Sequence, residues 1–216
     1  MEHSFPNIGI KMLTKEHTIL EPFAKEAWRK LTFKEIKKLS RNKSDNYVHA
    51  TLKRFVASEI LQEQKIGNNL IYSLTKKVSS LNTLGFIAEY KANIAKHIPH
   101  KNIQKIINKL RTAFFVYMVT GSYANGRQKE TSDLDIVIIC DNKYDPNSIL
   151  SQIKLESELM MPEIHPYVFT QQQFYQMLTV REENYGKEIA RNNLIITGGR
   201  VYYSILAEAI DHGFNG

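Results

Sequence analysis

An α/β (α+β) fold is expected from the sequence: a basic, helix-rich first part with a hairpin, then a small mixed sheet of alternating strands and helices. Three features point to it. From about residue 113, short runs rich in Ile, Val and Phe alternate with helix-spaced runs, the order of a small layered sheet. Residues 1–112 hold 21 Lys+Arg against 9 Asp+Glu, while residues 113–216 hold 8 against 13, so the two parts differ in charge sign. Finally, "GSYANGRQKETSDLDIVII", residues 121–139, sets two aspartates at the mouth of an apolar strand, a few residues after a glycine-serine turn. The expected division is a first domain over 1–80, a helical linker over 81–112 and a sheet domain over 113–216.

The 216 residues permit one large domain or two small ones. No run of eighteen apolar residues is present, so no membrane span is expected, and "MEHSFPNIGIKMLTKEH" lacks a basic-then-apolar leader. Cys140 is the single cysteine, which rules out an internal disulfide and suits a cytoplasmic protein. It ends an apolar run, where a buried structural thiol is the expected role.

The spacing of Ile19, Leu20, Phe23, Ala27 and Leu31 predicts a helix over 14–30. Thr32 followed by Glu35 is a capping box, which satisfies two orphan backbone donors at a helix start. Phe33, Ile36 and Leu39 form the stripe of that helix. After the polar turn "SRNK", Ser44 caps a third helix whose buried face carries Val48, Leu52, Phe55, Val56 and Ile60. Asn46, His49, Lys53 and Arg54 lie away from that face. Gly67-Asn68 between two extended runs reads as a hairpin turn.

This order, over about residues 10–75, resembles a winged helix-turn-helix domain. The resemblance implies that the helix starting at Ser44 enters the DNA major groove. Asn46, His49, Lys53 and Arg54 would then face nucleic acid. Arg41, Lys43 and Ser44 would meet phosphates near the helix start, and Lys65, Asn68 and Asn69 would form the wing. A helical domain using the same fold for protein contacts is the alternative.

Between the two parts, Leu81, Leu84, Ile87, Tyr90 and Ile94 suggest a helix, broken at Pro99 and followed by an amphipathic stretch through Ile103, Ile106, Ile107 and Leu110. His97 and His100 are too few for a metal site. The second part opens with the strand "FFVYMVT", and strand 134–140 follows the aspartates. A helix is expected around 147–159, then the strand "PEIHPYVFT", and a helix capped by Thr170. A further helix, the strand "NLIIT" and a last helix with core Tyr202 and Tyr203 complete it.

On a strand, residues two apart share a face, so Asp133 and Asp135 project together. Two adjacent carboxylates repel one another and raise each other's pKa. A divalent cation removes that cost, and magnesium favours one or two carboxylates together with phosphate oxygens. Gly121 permits a tight turn and close approach, and Ser122 would begin a short helix suited to phosphate. The combination suits a nucleoside triphosphate with Mg2+.

"GSYANG" followed by "SDLDIVII" resembles the signature of the DNA polymerase beta-like nucleotidyltransferase superfamily, and is most similar to its minimal prokaryotic members. The resemblance spans about residues 110–205. With the winged unit in front, the arrangement resembles a group of archaeal proteins. It implies that Asp133 and Asp135 hold Mg2+, that a third carboxylate from a neighbouring strand completes the site, and that nucleotide is transferred with release of pyrophosphate. On "PEIHPYVFT", Glu163, His165 and Tyr167 alternate onto one face. Glu163 gives a complete set of three acids, and His165 in its place leaves two. Where many minimal members have arginine this chain has Asn125, and Arg127 or Lys129 would supply the charge. Three functions follow: a nucleotidyltransferase with an unknown acceptor, a DNA-binding regulator that senses nucleotide, or an antitoxin-like partner of a helical toxin. The partners are a nucleoside triphosphate and DNA, with a protein partner and a homodimer left open.

Overall fold

The computed structural model describes residues 12–112 and 115–216. The leader-free reading of the first eleven residues and the start of the first sheet strand at Phe114 lie outside the described residues.

The first part runs α1 (His17–Lys25), β1 (Leu31–Thr32), α2 (Phe33–Leu39), α3 (Asp45–Ala57), β2 (Leu61–Ile66) and β3 (Asn69–Leu74). Thr32 and Glu35 form the expected capping box, and the Ser44 hydroxyl accepts from Tyr47 N–H. Each such cap contributes about 1 kcal/mol. Ile66 pairs with Asn69 around Gly67, whose φ of 59° is the left-handed turn conformation.

The first helix is shorter than its pattern: it ends at Lys25, where the Glu26 N–H closes on Pro22 O. The chain then extends, because Leu31 and Thr32 pair antiparallel with Tyr72 and Ile71 of β3. Local spacing carries no record of that pairing. Ile19, Leu20, Phe23, Ile36, Val48 and Leu52 are fully buried beneath the three-stranded sheet.

The second part follows α4 (Val78–Asn93) and α5 (His100–Ile107). It comprises β4 (Phe115–Val119), α6 (Gly121–Ala124), β5 (Leu134–Cys140), α7 (Pro146–Ser157), β6 (Ile164–Thr170), α8 (Gln171–Thr179), α9 (Tyr185–Arg191), β7 (Leu194–Thr197) and α10 (Gly199–Asp211). The sheet order is β6-β5-β4-β7, mixed as expected: β5 runs parallel to β6, while β4 is antiparallel to both β5 and β7. Alternate residues of β4 and β5 enter two separate cores. Val116, Met118, Val137 and Ile139 join the core shared with α8 and α10. Tyr117, Ile136, Ile138 and Cys140 join one with α5 and α7. Burial on both faces explains why β5 reads as an apolar run after Asp135, from Ile136 to Cys140.

The core of the first part continues into that of the second. Leu84 and Ile87 of α4 belong to the cluster that holds Phe23, Tyr72 and Tyr203. Tyr203 O–H donates to Ala24 O at 2.5 Å, and Gly199 N–H donates to Glu89 Oε1 at 2.6 Å. A Cβ on Gly85 would lie 2.7 Å from Arg200 N, so α4 and α10 meet backbone to backbone. Among the described residues no helix is long and apolar enough to cross a membrane.

Candidate active site

Strand β4 ends at Val119, and its partner β5 begins just after Asp133. Thr120 N–H donates to the Asp135 carbonyl at 2.9 Å, which brings the turn into α6 over the mouth of β5. Gly121, rather than Ser122, is the first residue of α6, with φ of 63°. A Cβ there would lie 2.1 Å from Asp135 Oδ2. Glycine is therefore required twice over, by its backbone angle and by the carboxylate against it.

The parallel register of β6 on β5 pairs Leu134 with Ile164 and Asp135 with His165. Leu134 N–H donates to Glu163 O at 2.8 Å, so Glu163 is level with Asp133. Four polar side chains thus share one face at the mouth of two strands. His165 is at their centre: Nδ1 is 3.8 Å from Asp133 Oδ2 and 3.9 Å from Asp135 Oδ1, and Nε2 is 3.6 Å from Glu163 Oε1. Asp133, Glu163 and His165 each offer a ligand atom within 4.8 Å of the others. Glu163 is the most open of the group, its side chain 72 % exposed.

The Asp135 carboxyl is held above the usual carboxylate range. Burial is the main cause; His165 opposes the shift, while Asp133 and Glu188 add to it. Beside Asp135 a cleft of about 220 Å³ is walled by Thr120, Tyr167, Tyr185, Glu188 and Asn192. The rings of Tyr167 and Tyr185 lie 4.8 Å apart, and Asn192 Nδ2 donates to Gly121 O at 3.1 Å. Burial pushes the Tyr185 phenol up to about 12, so it stays a neutral donor, 3.4 Å from Thr120 Oγ1.

These residues carried no role in the sequence reading. Tyr167 shares the parity of Glu163 and His165, which was visible. Glu188 on α9 and Asn192, the residue that ends it, come from a helix whose place against the site only the fold sets.

An oxygen-rich pocket at a strand mouth, under a glycine turn, suits a divalent cation bridging to phosphate. Residues 101–197 match the family model described as Polymerase beta, Nucleotidyltransferase. This supports the polymerase beta-like nucleotidyltransferase superfamily for that segment and contains the whole strand-turn-strand motif. The chain is also 40% identical over 73 residues to "Putative protein adenylyltransferase MJ1217" of Methanocaldococcus jannaschii. That match covers 34% of this chain and 64% of the relative. No solved structure matches.

Of the residues expected to serve the nucleotidyltransferase motif, the structure brings together Gly121, Asp133, Asp135, Glu163 and His165. Arg127 and Lys129 are exposed and neither lines the cleft beside Asp135. In the first part, Arg41, Lys43, Ser44, Asn46, His49, Lys53, Arg54 and Lys65 are all exposed. Three of them already have partners: Arg54 pairs with Glu16 at 2.8 Å, His49 stacks on Phe33 with ring centroids 3.9 Å apart, and the Ser44 hydroxyl accepts from Tyr47 N–H.

Proposed function

We propose that this chain is a metal-dependent nucleotidyltransferase, moving a nucleoside monophosphate from a nucleoside triphosphate to an acceptor with release of pyrophosphate. The observation that carries this reading is the Gly121 backbone packed against the Asp135 carboxylate, with Asp133, Glu163 and His165 on the same strand face. The donor set of Asp133, Glu163 and His165 fits a divalent cation, and Asp135, on the same strand face, would join Asp133 in holding it. When bound, such a cation supplies charge neutralisation on the triphosphate and acidifies an attacking hydroxyl. Gly121 and Ser122 present backbone and hydroxyl donors to phosphate. Tyr167 and Tyr185 wall the approach to Asp135, and Asn192 fixes the Gly121 carbonyl. The relative's name suggests a protein as one class of acceptor.

The test is calorimetry with a non-hydrolysable triphosphate and magnesium or manganese. Asp133→Asn and Asp135→Asn should each weaken binding at least tenfold, since each removes one charge and keeps the shape. Unchanged affinity in both would reject the reading.

A second reading, a nucleotide-sensing regulator, is favoured by one observation: His165, not a carboxylate, stands opposite Asp135. Glu163→Gln separates the two. In an enzyme that uses Glu163, binding persists while transfer is lost, because the interaction is needed mainly in the transition state. In a sensor both variant and parent bind without turnover.

For the first part we propose a winged helix that binds nucleic acid, within the division 1–80, 81–112 and 113–216. Its support is the helix-strand-helix-helix-hairpin order and the exposed polar face of α3.

A further inference from the structure

A groove of about 610 Å³ lies apart from the aspartates, between α1, α4, the C-terminal end of α6 and the turn from α9 into β7. Its volume is that of a pocket enclosing a nucleotide-sized molecule. Ile87, Ala88, Leu194 and Ile195 give it apolar walls. Its charges are lopsided. Among the described residues, Glu21 is the one carboxylate in the lining, and it is already paired with Lys91 at 2.7 Å. Arg191 is held by Glu183 through bonds of 2.7 and 2.9 Å. Lys25 and Arg127, both exposed at the rim, make no ion pair among the described residues. Two uncompensated cations beside an apolar slot recognise a flat ring that carries phosphate. With that acid engaged, the described residues of the groove offer no carboxylate pair for a cation, so binding there is expected without metal.

We propose that this groove is a second nucleotide site, taking a nucleoside phosphate without metal and separate from the Asp133–Asp135 cleft. Asn192 lines both cavities and donates to Gly121 O at 3.1 Å, so an occupant of the groove touches the residue that orients the glycine turn. The walls also come from both parts of the chain, with α1 and α4 facing β7.

The test titrates AMP and GMP into the full chain in EDTA, by calorimetry, with inorganic phosphate as a third probe. At least one nucleotide should bind saturably at one per chain, and inorganic phosphate at least tenfold more weakly. Lys25→Glu should weaken nucleotide binding at least tenfold, and Ala88→Trp, which fills the slot, should abolish it. Lys25→Gln, an exposed and uncharged change, gives a smaller loss and guards against misfolding, which near-UV circular dichroism also checks. Asp135→Asn should leave the metal-free Kd within twofold. No saturable binding of either nucleotide overturns the proposal, as does an unchanged Kd in both Lys25→Glu and Ala88→Trp. A Kd at least severalfold tighter in Asp135→Asn, as expected when a repelling carboxylate is removed from a metal-free cleft, would assign the nucleotide to the catalytic cleft, and phosphate binding as tightly as nucleotide would remove the nucleoside. The transferase reading is tested with metal and triphosphate, so its failure leaves these results untouched.

Discussion

His165 of β6 stands directly across the parallel strand pair from Asp135 of β5, its Nδ1 3.9 Å from Asp135 Oδ1. Imidazole is a softer donor than carboxylate and suits manganese and later transition metals better than magnesium. Replacing it would change the donor set that the proposed metal site offers. Manganese should bind with a non-hydrolysable triphosphate at least tenfold more tightly than magnesium. In His165→Asp that ratio should shrink severalfold, as a third hard oxygen enters. Calorimetry on both proteins gives the ratio, and an unchanged one would mean that His165 is no ligand.

Asp135 bears a stability cost in the metal-free protein. Its folded pKa is raised above 3.8, by burial first, with Asp133 and Glu188 adding to the shift against His165. The ionised form is therefore disfavoured in the folded state. That penalty is present above the folded pKa and fades as pH falls through it. Asp135→Asn carries no charge, so in EDTA at pH 7 its Tm should exceed that of the parent by about 1–3 °C. The gap should close as pH drops below about 4. Adding metal with triphosphate should raise the parent's Tm alone and reverse the order. Calorimetric melts across this range check both signs.

Gly121→Ala should separate strain from obstruction when set beside Gly126→Ala. Both glycines have left-handed φ, 63° and 67°, so both variants lose roughly 1–2 kcal/mol from backbone strain. A Cβ at 121 collides with the Asp135 carboxylate, while one at 126 meets nothing within 4 Å. Gly126→Ala should therefore keep metal-dependent triphosphate affinity, and Gly121→Ala should lose it. Equal affinities would show that the close approach at Gly121 has no bearing on the ligand.

Lys53 and Arg54 are neighbours on α3 with different engagements. Arg54 pairs with Glu16, whereas Lys53 makes no ion pair among the described residues. Lys53→Ala should weaken duplex DNA binding uniformly across sequences and reduce its salt slope by about one. Arg54→Ala should also lower Tm slightly, by freeing Glu16. Fluorescence anisotropy at several salt concentrations tests this. No binding at low salt would point the α3 face towards a protein partner.

Local chemistry made much of this chain legible. Caps at Thr32, Ser44 and Thr170 involve residues three apart, so their hydrogen bonds are written in the sequence. Strand periodicity put Asp133 with Asp135, and Glu163 with His165 and Tyr167, because alternate residues must share a face. Gly121 announced a tight turn. Which of Glu163 and His165 would meet Asp135 was beyond that reach. Parity survives any shift of two residues, and only the pairing of β6 on β5 chose His165. The pairing of Leu31 with Tyr72, which ends the first helix early, belongs to the same class. So do Tyr185, Glu188 and Asn192: they reach the cleft because α9 packs there, some fifty residues along the chain from Asp135. Contacts between distant segments depend on how whole elements bury their faces against one another, and that is settled by the packed core rather than by any local run of residues.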